Sequence, residues 1–173
     1  KSKIESEQPN LKAVSIQKKK FTLEDFPLLK VVNVRSNFKG TLIYVSKKTG
    51  YEVEWLEYGE SNYMTIEELQ VMRNSQRKFF ENNWIALDDP DADDILRFLQ
   101  VDRYYEHAIN VDELDDVFSW GVERILQEIP QMASGTKEAI AYRAMELIES
   151  RDLDSIKMIE ALEKAIGCEL IER

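Results

Sequence analysis

Hydrophobic and polar residues alternate in short runs between Leu29 and Trp84, and beyond Asp88 the apolar positions recur at helical spacing, so the chain changes period once. Leu29-Lys30-Val31-Val32-Asn33-Val34 begins a strand, Ser36-Asn37-Phe38-Lys39-Gly40 has turn composition, and Thr41 to Val45 is a second strand, which together predict a hairpin. After the turn Lys47-Lys48-Thr49-Gly50, the run from Tyr51 to Tyr58 is the clearest alternation in the chain. It places Tyr51, Val53 and Trp55 on a dry face and Glu52, Glu54 and Leu56 on a wet one. A further turn, Gly59-Glu60-Ser61-Asn62, leads to a helix with a readable start. Thr65 is its N-cap, Glu68 completes a capping box, and Ile66, Leu69 and Met72 share one face. Phe79-Phe80 and a final strand from Trp84 to Leu87 close the segment.

The acidic half reads as helices with short connections. Pro90 and the aspartates Asp91, Asp93 and Asp94 suit the positive end of a helix through Ile95 and Leu99. Asn110 can cap a helix from Val111 to Phe118, and another through Val122, Ile125 and Ile129 ends at Pro130. Ser134-Gly135-Thr136 introduces a helix to Glu149 with Ile140, Ala144, Leu147 and Ile148 in one stripe. Asp152-Leu153-Asp154 caps the last helix, which Gly167 stops.

Three regions follow: a basic extended arm at 1–20, a β-rich module with one helix at 21–87, and an α-helical domain of about four helices at 88–173. The fold class is therefore α+β, with the β module a small SH3-like barrel or sheet rather than a βαβ unit. Within the β module, Phe21 to Pro27 reads as a short turn or one helical turn. Such a barrel names no ligand by itself.

Charge sharpens this division. Of the 173 residues, 1–50 hold 11 Lys and Arg against 4 Asp and Glu, a sum of +7, while 51–173 hold 12 against 29, a sum of −17. A basic arm on an acidic body can contact an acidic neighbour, another copy of the chain, or nucleic acid. Lys12 and the run Lys18-Lys19-Lys20 are the candidate partner-binding residues. Three lysines without interleaved arginines or aromatics are a weak nucleic-acid signal, and a solvated tail or linker explains the run more simply than a phosphate-contacting patch.

Candidate chemistry is sparse. Five aspartates between Asp88 and Asp94 invite a calcium reading, but an EF-hand counted from Asp88 puts Asp93 where glycine is needed and Leu99 where a bidentate glutamate is needed. Cys168, the only cysteine, lies in an apolar setting and reads as a small buried hydrophobe; His107, the only histidine, is the one base it could use, and nothing in sequence brings them together. Glu52 and Glu54 are the best carboxylate pair, yet solvated strand positions that discourage edge pairing explain them more simply. No phosphate loop, Cys/His metal spacing or nucleophile elbow occurs, so neither enzyme, cofactor nor metal is expected. The longest apolar runs are far shorter than the roughly 20 residues of a membrane-spanning helix, and Lys1 to Glu5 lacks the apolar middle of a secretory signal.

Particular words of the sequence carry a resemblance. Gly40-Thr41-Leu42-Ile43-Tyr44, Gly50-Tyr51-Glu52-Val53-Glu54-Trp55, Tyr63-Met64-Thr65-Ile66-Glu67-Glu68-Leu69 and the run from Arg73 to Ile85 resemble small virion-associated proteins of tailed bacteriophages. The stretches from Ser134 to Lys137 and from Asp154 to Glu163 are similar to them as well. These are framework residues, so no functional residue carries over. The resemblance implies a structural role in a particle, in the virion or in the host cytoplasm before assembly, with other virion or assembly proteins and copies of itself as partners. The alternative is a regulatory binding module that contacts nucleic acid or a host protein.

Overall fold

The computed structural model describes residues 27–173. Lys12, Lys18, Lys19 and Lys20 lie outside the described residues, as do residues 21–26 of the turn expected at Phe21 to Pro27. Within them the chain is a mixed α+β protein, with five short antiparallel strands followed by a predominantly helical half. Strands β1 (Val31–Ser36), β4 (Ser61–Thr65) and β5 (Ile85–Leu87) form one sheet in the order β4-β1-β5, and β2 (Leu42–Val45) pairs with β3 (Glu52–Trp55) in a separate hairpin. No closed barrel is present among the described residues.

The alternation of β1 decides which way the sheet faces. Val32, Val34 and Ser36 are buried on the inner side, while Val31, Asn33 and Arg35 point outward opposite Thr65, Tyr63 and Ser61 of β4. The hairpin lies on the inner side, where the Trp55 indole N–H donates to the Val34 carbonyl at 3.0 Å. Tyr44 and Trp55 are fully buried. Tyr44, Phe79, Trp84 and Phe38 form a chain of edge-to-face ring contacts with centroids 5.4–5.7 Å apart. The expected dry face holds for Val53 and Trp55 but not for Tyr51, which is exposed. Tyr51 directly follows Gly50, at positive φ in the turn, and precedes β3, so the alternation of the ladder does not govern it.

Helix α1 (Ile66–Ser75) begins as its sequence predicts, with Thr65 Oγ1 accepting from the Glu68 N–H at 3.2 Å. The reciprocal half of the capping box is replaced by a tertiary contact. The buried Glu68 carboxylate instead accepts from the Tyr44 hydroxyl at 2.8 Å and from Thr49 Oγ1 at 3.4 Å, which ties the helix to the hairpin. A single turn, α2 (Lys78–Glu81), places Phe79 and Phe80 in the core before β5.

The core of the β-rich part does not end at Leu87: Ile95 and Leu96 of α3 (Ala92–Phe98), with Leu99 and Val101, belong to it. Asp93 and Asp94 occupy the first turn of α3, whereas Asp89 and Asp91 receive the Lys30 ammonium at 3.2 and 3.1 Å. A second core is built on α4 (Val122–Glu128), α5 (Ser134–Glu149) and α6 (Ile156–Ile166), around Ile125, Ile129, Ile140 and Leu162.

Three expectations in this half change. Val111–Ser119 is a 3-10 helix, not an α-helix, although Asn110 does cap it. Its buried residues Val111, Leu114 and Val117 recur every third position, which matches three residues per turn. The cap of α6 is Ser155, whose hydroxyl accepts from the Met158 N–H, rather than the preceding aspartates. Cys168 is exposed: Gly167 ends α6 at φ +87°, and it is Leu170 that turns back into the core, its N–H bound to the Glu163 carboxylate.

Candidate functional site

The β-rich part and the helical half meet in a joint made of two contacts. In the first, the turn after α2 meets the start of α5. Asn83 takes φ +52°, which swings the Asn82 carbonyl and the Trp84 ring against Gly135. The Gly135 N–H donates to the Asn82 carbonyl at 3.0 Å, Ser134 Oγ bonds Asn82 Oδ1 at 2.9 Å, and the Asn37 amide bridges the Asn83 carbonyl at 2.8 Å and Thr136 Oγ1 at 3.3 Å. A Cβ on Gly135 would collide with the Asn82 carbonyl and lie 2.6 Å from the Trp84 ring, so only glycine permits this approach.

The second contact is ionic. Arg35 grips both oxygens of Asp112 at 2.7 and 2.9 Å and donates its Nε to the Gly59 carbonyl at 3.0 Å. Lys39 reaches across to Glu146 at 2.7 Å, and behind it, within the helical half, Arg143 of α5 binds Asp115 in the same two-pronged way as Arg35 binds Asp112, at 2.8 and 2.9 Å. These groups border a cleft of about 560 Å³ lined by Lys39, Tyr58, Asp112, Asp115 and Arg143.

The electrostatics of this cleft are those of a fastener. Hydrogen bonds from Arg35 hold the Asp112 carboxyl below the usual carboxylate range, those from Arg143 do the same for Asp115, and those from Lys39 and Arg143 for Glu146. All three are kept ionised, the opposite of what a general acid near neutral pH needs. Burial pushes the Tyr58 hydroxyl upward, so it remains a donor, to the Val111 carbonyl at 3.3 Å.

Other candidates are not brought together. Cys168 and His107 line different clefts, and burial together with nearby Glu163 raises the thiol, away from the reactive thiolate. Glu52 and Glu54 are exposed on the outer side of the hairpin, opposite Val45 and Ile43. Among the described residues no three His, Cys, Asp or Glu side chains cluster as metal ligands, and no helix is long and apolar enough to cross a membrane.

What the sequence did not single out is the other end of the outer face of β1. Val31 (56% exposed), Tyr51 (51%) and Tyr63 (61%) are large apolar side chains left open together, and Leu29, two residues before Val31, is 75% exposed. Val31, Tyr51 and Tyr63 border a shallow groove of about 450 Å³, with Thr49, Met64, Thr65 and Glu68 as its remaining lining. A concentration of apolar surface of this kind is the usual mark of an interaction site. A detectable signal existed: Leu29, Val31 and, across the ladder, Tyr63 keep the alternation of a strand whose opposite side is already fully apolar. Comparison with family models, curated proteins and solved structures finds no match to this chain.

Proposed function

We propose that this chain is a non-enzymatic structural component of a tailed-phage particle that works through protein–protein contacts. The observation that carries the reading is the contrast between a cleft whose charged groups are tied into ion pairs and an apolar face left open beside the point where the chain leads back to the basic arm. The first argues against catalysis, the second for a partner, and the resemblance to small virion-associated proteins supplies the setting. In the same proposal the β part is a small SH3-like unit, supported by its five short strands around one apolar core. The arm, with Lys12 and Lys18 to Lys20, contacts acidic surface on neighbouring subunits, including copies of this chain, whose residues 51–173 sum to −17.

The test is mass spectrometry of isolated particles: the chain co-purifies with capsid and tail proteins in constant ratio, and its absence there discards the proposal. Binding to DNA at low salt that weakens steeply as salt is raised would instead favour the regulatory module, since phosphate contacts release counterions.

A further inference from the structure

Most arginines of this chain are spent on carboxylates: Arg35, Arg97, Arg124, Arg143 and Arg173 each donate to an aspartate or glutamate. Three others converge where α1 and α2 meet the 3-10 helix Asp102–Tyr105, and their hydrogen bonds go only to uncharged oxygens. Arg77 Nε donates to the Tyr104 hydroxyl at 3.0 Å and Arg103 Nη2 to the same oxygen at 2.7 Å, while Arg73 Nη1 and Arg77 Nη2 reach the carbonyls of Leu99 at 3.0 Å and Gln100 at 3.4 Å. Glu81 stands 3.9 Å from Arg77 Nε, beyond hydrogen-bond range. Carboxylates are in excess in this chain, 33 against 23 Lys and Arg, so the lack of one bonded here is a local feature and not a shortage.

The cluster is built to receive negative charge. Burial and the positive charge of Arg77 both lower the Arg73 guanidinium, and the bonds from Arg77 and Arg103 pull the Tyr104 hydroxyl below its ordinary range. Donors remain for an incoming group: Arg77 Nη1 and Arg103 Nε and Nη1 have no acceptor among the described residues, and the Tyr104 hydroxyl accepts twice and donates to none of them. The Arg103 guanidinium also lies 4.8 Å from the Tyr104 ring centroid, which holds it in place although it is exposed. We propose that Arg77, Arg103 and Tyr104 form a docking point for a single carboxylate of a protein partner. The planar guanidinium fork matches that group. A nucleic-acid strand would bring a continuous run of charge instead, and two features oppose it: exposed Glu81 and Asp102 lie close enough to act on Arg103, and residues 51–173 sum to −17. The site is separate from both the open face and the ion-paired cleft, so the inference stands whether or not the chain enters a particle.

The experiment titrates the full chain at low salt with a capped tripeptide carrying one central glutamate, read by NMR of the arginine Nε and tyrosine ring signals. Shifts confined to Arg77, Arg103 and Tyr104 are expected, half-saturating at about millimolar peptide and disappearing as salt is raised. The glutamine counterpart of the peptide should leave them in place. Arg103→Gln changes an exposed side chain and Tyr104→Phe removes only a hydroxyl, so both keep the fold, and each should weaken binding severalfold. A general response that includes Arg124 and Arg151, binding undiminished in both variants, or no shift at tenfold the expected concentration overturns the proposal. Decathymidylate seated on the same three residues more tightly than the peptide would give the site to nucleic acid and overturn it as well.

Discussion

The outer face of β1 is finished differently at its two ends. At the Arg35 end the sheet meets the helical half through a bidentate ion pair and, nearby, the glycine-only approach of α5 to Trp84. At the Val31 end large apolar groups stand open. One strand thus carries a permanent joint at Arg35 and an accessible surface at Val31, four residues apart. The difference teaches where function belongs: residues at the joint hold the fold, and those at the open end are free to serve a contact.

Breaking what lies beneath both ends has the largest expected effect. Trp55→Ala removes a fully buried indole and its hydrogen bond to the Val34 carbonyl, for a loss of about 3–5 kcal/mol in urea unfolding. Gly135→Ala separates the two ends: it forces Asn82 and Trp84 away from α5 and lowers stability by about 1–3 kcal/mol, while the ring resonances of Tyr51 and Tyr63 stay in place. If those rings moved as much as Trp84, the ends would not be independent.

Acid acts on the ion pairs around the cleft. Asp115 and Glu146 have folded carboxyls held below their ordinary values, so their contribution is present above the ordinary carboxylate range and is lost as pH falls below about 4 through the lowered folded values. Asp115→Asn should flatten that acid limb and, because the pair is largely solvent-exposed, cost no more than about 1 kcal/mol at neutral pH, read from chemical denaturation at several pH values. The smallest effect is expected on the outward side of the hairpin, where Ile43→Thr changes stability by no more than about 0.5 kcal/mol in the same assay. A larger loss would mean that this side is also covered.

Much of the architecture was legible because it is local. The N-caps at Thr65 and Asn110, the stop at Gly167 and the buried pair Val53 and Trp55 each rest on residues a few positions apart, where cap chemistry and the pleat act directly. Glu68 was read as half of a capping box, and a tyrosine 24 residues away claimed its carboxylate. The 3-10 helix at Val111 was hidden by its aspartates, although its three-residue spacing was present. The joint could not be read in this way. Arg35 and Asp112 are 77 residues apart, and nothing near Gly135 in sequence announces a tryptophan against it. Tyr51 was misassigned because a turn residue was counted into the strand that follows it.

The joint at Gly135 also carries a consequence for how the protein is made. Asn37 and Thr136, which bond across it, are 99 residues apart, and the Trp84 shelf precedes the helix that covers it by about fifty residues. At translation speeds of roughly 5–20 residues per second, that shelf waits about 3–10 s on the ribosome before its cover is synthesised. The sheet's own partners, β4 and β5, are complete by Leu87, so the β-rich core can begin to assemble during that interval and present a formed dock to the arriving helix. Order of synthesis and order of packing run in the same direction, which spares the nascent chain a long-lived bare edge.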